Sequence, residues 1–430
     1  MVGAGLAGLA AARDLHRAGA DVLVLEARAR PGGRVEQETL PDGRIVQLGG
    51  ELVGEFHTAY LELAAELGLT LVPSYVEEPG EMTRQIPGSI DVGDWPAWFT
   101  GEDKAAYDLV EKALETVVAD IDPSDPLSCP DLHELDRLSV GDWLRAVGAT
   151  PGVVRLKELA HLGMSDGSVE RTSMFAYARK IAVGGGTGSY DFDVWENLRL
   201  AEGSATLAHK LVEGLTDVRL STPVAAIAVG ANGVVVSAGS GEELTADAVV
   251  LAVPVGPARD IAITGVSEQR LASLRRQRHA WAAKFVAAYD VPFWRDRGQN
   301  GLSESEGVLG STWPQSEGIL SALVPPERFA AFAAADPQTR TAEALEQMAA
   351  MYGPAATGPV ATWTRLWGLD PWTQGYVTNW RPGDVVAVGP AHGTHEPPFY
   401  VCGSDQWVAG YMEGAVRTGR EAAVAALARG

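Results

Sequence analysis

Val2-Gly3-Ala4-Gly5-Leu6-Ala7-Gly8 opens the chain; a helical run, Leu9 to Ala18, stops at Gly19, and Asp21-Val22-Leu23-Val24-Leu25-Glu26 follows. A glycine turn, a helix and a strand ending in an acid make one βαβ unit of the dinucleotide-binding kind. Gly3 permits the tight turn, and Gly5 lets a pyrophosphate approach the backbone. Leu6 and Ala7 begin the helix, whose unpaired N–H groups face the phosphate, and Gly8 lets the helix pack closely on the sheet. Glu26, about eighteen residues past Gly8, is placed to accept hydrogen bonds from the ribose hydroxyls. A GxGxxG alone is a weak signal, because glycine-rich turns are common. Here the helix, the second strand and the acid all arrive in order. The strand ahead of Gly3 is reduced to Met1 and Val2, which reads as a truncated or misassigned start.

Composition narrows the class without naming it. At 430 residues the chain suits two domains, and 46% hydrophobic with 21% charged residues is ordinary for a globular protein. A net charge of −22 argues against a nucleic-acid partner and reads mainly as a solubility device. No apolar run reaches the roughly 18 residues needed to span a bilayer, and no secretory leader opens the chain. Cys129 and Cys402 are the only cysteines, so neither a disulfide framework nor a cysteine-rich metal site is expected. A cytoplasmic enzyme or binding protein remains.

Directly after Glu26 comes Ala27-Arg28-Ala29-Arg30-Pro31-Gly32-Gly33-Arg34-Val35, a second glycine pair suited to a second phosphate contact. Together with Leu48-Gly49-Gly50-Glu51-Leu52-Val53, these residues resemble the flavin-containing amine oxidase superfamily of monoamine, polyamine, L-amino-acid and hydroxynicotine oxidases. The second glycine motif favours FAD over NAD. The resemblance implies that Ala27, Arg28, Gly33 and Arg34 contact the cofactor and that Gly49, Gly50 and Glu51 pass close to the flavin. Gln47 stands where the family often carries an acid.

Further along, helical stretches such as Lys104–Val118 and Val140–Val147 alternate with proline- and glycine-rich loops. Gly184-Gly185-Gly186 with Gly188 reads as a flexible loop, since no helix follows it directly. Helix Ala205–Gly214 then leads to two strands flanking Asn232-Gly233, a hairpin signal, and to the buried run Asp247–Pro254. In the family, the residue matching Val224 touches adenine through its backbone.

Lys284 lies in the apolar run His279–Tyr289, where an ammonium needs water or a partner. Read alone, it is a lysine snorkelling at a strand edge. Pro292-Phe293-Trp294 follows, and the family places a lysine about nine residues before that aromatic pair, holding a water against flavin N5. The resemblance makes Lys284 the catalytic candidate. Four tryptophans fall between Trp363 and Trp380, and in Leu366–Val377 the match makes Trp367 the flavin contact.

The run Tyr400-Val401-Cys402-Gly403-Ser404-Asp405 followed by Gly410-Tyr411-Met412-Glu413-Gly414-Ala415-Val416 is close to an amine oxidase signature. The match implies that Gly403, Ser404 and the Met412 N–H contact the flavin, and that Tyr411 is one wall of an aromatic box around the substrate nitrogen. The second wall falls at the non-aromatic Val377, so either another residue such as Trp407 or Trp372 supplies it or the substrate is not a simple alkylamine. The covalent tether of membrane-bound monoamine oxidases is matched here by Tyr376, so FAD is expected to be non-covalent. The chain also ends too soon after its last helix for a membrane tail. His392, His395 and Glu396 lack helical i, i+4 spacing, and no metal is expected.

The expected fold is α/β in two domains: a Rossmann-like FAD domain of the glutathione-reductase type and a mixed-sheet plus helical substrate domain. The FAD domain takes residues 1–75, 201–265 and 386–430, and the substrate domain 76–200 and 266–385. The expected reaction oxidises a small amine to an imine and passes the electrons to oxygen, giving hydrogen peroxide. A homodimer is compatible with this reading. A desaturase or protoporphyrinogen-type oxidase acting on a larger apolar molecule is the alternative, and a non-catalytic FAD-binding module a further one.

Overall fold

The computed structural model describes residues 1–164, 167–186 and 188–428. The glycine turn starts from Val2, which bridges in parallel to both Leu25 and Leu251. Leu23–Leu25 pairs in parallel with Asp217–Arg219, and Val249–Leu251 with Phe399–Val401. Val2 thus supplies the middle of a parallel sheet whose strands come from segments far apart in sequence.

Alternation along these strands explains their apolar runs. Val249, Leu251, Phe399 and Val401 pack with Ile227, Val234 and Ile263. Val250, Tyr400 and Cys402 point the other way, toward Ala7 and Ala422. Both faces are covered, so the strands read as continuous hydrophobic stretches instead of alternating ones. On one side lie helices Leu6–Arg17 and Tyr411–Leu427, packed against each other. On the other lies a four-stranded sheet ordered Glu243–Ala246, Gly233–Ala238, Val224–Gly230, Ala262–Thr264. Gly230 pairs with Gly233, so the hairpin loop is Ala231-Asn232 and Gly233 is its first paired residue.

A second body is built on a seven-stranded sheet. Its order is Ala361–Arg365, Ala283–Ala288, Ile319–Val324, Ser311–Ser316, Gln299–Ser305, Glu81–Ile86, Ser89–Val92. The pairings are antiparallel except that of Gln299–Ser305 with Glu81–Ile86. Helices Gly101–Ala119, Val140–Ala146, Pro151–Gly163 and Met174–Val183 share a separate core that includes Val110, Leu144, Val153 and Phe175. Thr100 and Asp103 close a reciprocal capping box that starts the first of these helices three residues before the expected Lys104. Among the described residues, no helix is long and apolar enough to cross a membrane.

Candidate active site

One cavity reaches from the glycine turn, along the C-terminal edge of the parallel sheet, to the seven-stranded sheet. At its first end Gly3 adopts φ +104, and a Cβ there would sit 2.7 Å from the Ala252 carbonyl oxygen. At Gly8 an added Cβ would fall 2.0 Å from the Gly3 carbonyl oxygen, so the helix can come this close to the turn only without a side chain. Helix Leu6–Arg17 has no side-chain cap, and Gly5, Leu6 and Ala7 line the cavity, leaving first-turn N–H groups for an anion. Gly8 itself stands behind that wall.

Glu26 is buried at the end of its strand, with its carboxylate accepting from the Ala4 N–H at 2.7 Å and the Arg28 N–H at 2.8 Å. The two glycine motifs meet here: the Gly32 N–H donates to the Ala4 carbonyl at 2.8 Å, and Gly33 lies against Gly5. Ala27, Arg28, Gly33, Arg34 and Val224 all line the same end of the cavity. The arginines are engaged with the protein. Arg28 donates to Asp370 and Thr373, and Arg34 to Asp405 at 2.8 Å and Ser404 at 2.7 Å. Arg34 therefore ties the second glycine turn to Gly403-Ser404-Asp405, both of whose first two residues line the cavity.

Asp405 belongs to the quoted motif, but its role was not legible there. It also accepts from the Val255 N–H at 3.1 Å and pairs with His279 Nε2 at 2.8 Å. Burial pushes its carboxyl up, yet the Arg34 guanidinium and the His279 ring outweigh burial and hold it well below the usual carboxylate range.

Lys284 is not at a strand edge. It sits in the interior of the seven-stranded sheet, paired with Leu323 on one side and Arg365 on the other. Its side chain is 1% exposed and lines the cavity, with Nζ donating to Glu51 Oε2 at 2.9 Å and to the Gly49 carbonyl at 3.0 Å. The other Glu51 oxygen accepts from Trp313 Nε1, and the Trp313 ring lies 5.1 Å from Nζ. Burial draws Lys284 below the ordinary lysine value, against the pull of the Glu51 carboxylate. Gly49, Gly50 and Glu51 thereby bring the segment after the second glycine motif onto the lysine.

Tyr411 and Met412 form the opposite wall, at the start of helix Tyr411–Leu427. Tyr411 takes φ 58, a left-handed value that non-glycine residues adopt at a cost of about 1 kcal/mol or more, most often at functional sites. Val377 lines the cavity, and so do Trp372 and Tyr376. Tyr376, one residue from the expected second wall, also packs with Tyr75, Trp313 and Leu323.

Two expected contacts do not reach the cavity. Trp367 is fully buried, and its Nε1 donates to the Leu48 carbonyl at 2.9 Å, bracing the Gly49-Gly50 segment from behind. Trp407 packs against Gly414 with the Arg417 guanidinium 5.3 Å from its ring. Space for Trp407 exists only because residue 414 lacks a side chain.

Glu196 was absent from every motif reading, since nothing in its local sequence distinguishes it. It lines the cavity and takes hydrogen bonds from the phenols of Tyr75, Tyr190 and Tyr411. Its burial raises its pKa, against these three phenols and Lys180. His392 binds the Asp405 carbonyl, His395 accepts from the Val401 N–H and Glu396 accepts from Ser267. Among the described residues no group of three such side chains is placed to hold a metal.

An uncapped helix terminus, a buried acid beside it, and a cavity continuing to a buried lysine fit an extended dinucleotide with a redox-active end. The flavin containing amine oxidoreductase family matches residues 6–427. The chain belongs to this family. Putrescine oxidase of Kocuria rosea is 29% identical over 467 residues, covering 100% of this chain and 95% of that one. The structure of putrescine oxidase bound to putrescine superposes with a TM-score of 0.90 at 27% identity, covering 100% of this chain and 98% of that one. Cyclohexylamine oxidase from Brevibacterium oxydans IH-35A gives 0.89 at 26% identity, with the same coverage. As a flavin amine oxidase the chain takes FAD as its cofactor. Cys129 and Cys402 are both buried and neither lines the cavity, so no thiol is placed to tether the flavin.

Proposed function

We propose that this chain oxidises the carbon–nitrogen bond of a small amine to an imine, with oxygen as the electron acceptor and hydrogen peroxide as the product. The observation that carries this reading is the continuity of one cavity from the glycine cradle and Glu26 to Lys284, Met412 and Tyr411. Bound FAD supplies the acceptor for the hydride from the carbon beside the nitrogen. The residues of this chain do the rest. Gly3, Gly5, Leu6, Ala7 and Gly8 shape the pyrophosphate cradle, and Glu26 holds the ribose. Ala27, Arg28, Gly33 and Arg34 complete that end, with Val224 against the adenine. Gly49, Gly50, Glu51, Gly403, Ser404 and Met412 surround the flavin, and Trp367 acts by bracing Gly49-Gly50. Lys284 holds a water at the reacting edge, while Tyr411 with Tyr376 and Val377 orients the amine; Trp407 supports the Tyr411 helix.

We read the parallel sheet as Rossmann-like, of the glutathione-reductase type. Its strands lie within 1–75, 201–265 and 386–430, and those of the seven-stranded sheet within 76–200 and 266–385. Acids in the cavity wall, the half-buried Glu196 and the buried Glu304 among them, favour a polar amine over a large apolar substrate. The test is the visible spectrum of the holoenzyme recorded anaerobically with putrescine, cyclohexylamine and a panel of amino acids. Bleaching by one class identifies the substrate, and peroxide on admitting air identifies oxygen as the acceptor. A yellow protein that no amine bleaches would refute the amine assignment in favour of a larger apolar substrate.

A further inference from the structure

An amine in water at neutral pH is mostly the ammonium ion, which has no lone pair to assist loss of hydride. Some group must take its proton on the way in. We propose that Glu196 is that group, and that Tyr190 carries the proton onward to solvent; this rests on the amine oxidase reading above.

The geometry singles out this carboxylate. Glu196 lines the main cavity beside Tyr411, whose hydroxyl donates to Glu196 Oε1 at 3.2 Å. Tyr190 donates to the same oxygen at 2.8 Å, and its hydroxyl also meets that of Tyr411. Tyr75 donates to Oε2. Tyr190 does not line the main cavity; it lines a second pocket with Tyr107, Asp191 and Asp193, the last two exposed to solvent. Glu196 and the phenols of Tyr75 and Tyr190 thus form a hydrogen-bonded cluster between the substrate space and the outer pocket, which Tyr75 lines as well.

The charges around Glu196 favour the transfer. Lys180 Nζ lies 5.5 Å from the Tyr190 and Tyr411 ring centres, His57 packs against Tyr411, and the buried Lys284 of the Lys284–Glu51 pair also feels the Glu196 charge. An arriving ammonium would place a second cation beside Lys180 over one carboxylate. The exchange R–NH3⁺ + Glu196–COO⁻ → R–NH2 + Glu196–COOH leaves one cation and a substrate with its lone pair. In a desolvated pocket the neutral pair is favoured over the ion pair. The proton then passes from Glu196 through the Tyr190 hydroxyl to water in the outer pocket, restoring the carboxylate. The burial that raises the Glu196 carboxyl helps it to hold the proton meanwhile.

The experiment is anaerobic stopped-flow reduction of the FAD-loaded enzyme by putrescine and cyclohexylamine between pH 6 and 10. Wild type, Glu196→Gln and Tyr190→Phe are compared. Glu196→Gln should slow reduction about a hundredfold at pH 7. The loss should shrink to within a few-fold at pH 10, where a substantial fraction of the amine arrives neutral, and the rising limb should move toward the amine's own solution pKa. Tyr190→Phe should show a smaller loss at pH 7 that high pH also restores. A Gln variant slowed equally at both pH values, or one with an unchanged profile, overturns the proposal; if that variant does not fold, a flat Tyr190→Phe profile does so. If no amine bleaches the wild type, the amine oxidase reading fails instead.

Discussion

Replacing Lys284 by methionine separates the electrostatics of this lysine from its chemistry. Lys284 and Glu51 are 1% and 2% exposed, and their 2.9 Å contact is the ion pair each makes among the described residues. Methionine fills much of the same space, but Glu51 keeps a buried negative charge whose remaining hydrogen bond comes from Trp313 Nε1. Leaving one member of a buried pair alone costs about 3–5 kcal/mol. For a chain of 430 residues that is a fall in Tm of about 3–6 °C. Glu51→Gln alone should cost a similar amount, because it strands the ammonium. The double variant Lys284→Met with Glu51→Gln should recover about 2 kcal/mol or more of the summed losses. Differential scanning fluorimetry of all four proteins without FAD measures this cycle. Additive losses would refute the pairing as an energetic unit. With FAD bound, Lys284→Met should retain the cofactor and slow turnover chiefly in flavin reoxidation; unchanged steady-state and oxidative rates would refute the catalytic role.

Other residues give sharp tests. Glu26→Ala removes the acceptor for the Ala4 and Arg28 N–H groups and should weaken FAD retention by about 1.5–3 kcal/mol, measured by flavin fluorescence on dilution; a fully yellow variant would refute the ribose role. Gly8→Ala drives a Cβ to 2.0 Å from the Gly3 carbonyl, so the turn must open; the variant should lose about 1–3 kcal/mol of stability and much of its FAD affinity, and wild-type binding would refute the close-approach argument. Burial lowers His57 to about 3 and His392 to about 4. Unfolded histidine takes a proton near pH 6.5 while these do not, so stability falls as pH drops from 6.5, by about 2 kcal/mol for each at pH 5. His57→Gln should remove about 2 kcal/mol from the drop between pH 7 and pH 5; an unchanged drop in chemical denaturation would refute this.

Local chemistry made the cofactor end legible. Glycines at 3, 5 and 8, the helix after them and Glu26 are all dictated by backbone sterics and helix-terminus N–H groups within one short segment. Lys284 was legible as a buried charge in an apolar run, but its partner was not, because Glu51 lies 233 residues away in sequence.

What only the tertiary structure decided is which way side chains point once the segments meet. Tyr376 and Val377 lie in the bend before strand Thr378–Asn379 and both line the cavity, so only the folded chain shows that the aromatic of that wall is Tyr376. Trp367 and Trp407 carry the residue type expected of flavin or substrate contacts, yet packing turns one to the Leu48 carbonyl and the other to Gly414. Glu196 gathers phenols from positions 75, 190 and 411, a cluster with no signature along the chain. Backbone-determined features are written locally in the sequence. Side-chain constellations arise from long-range packing, and only the folded chain brings their members together.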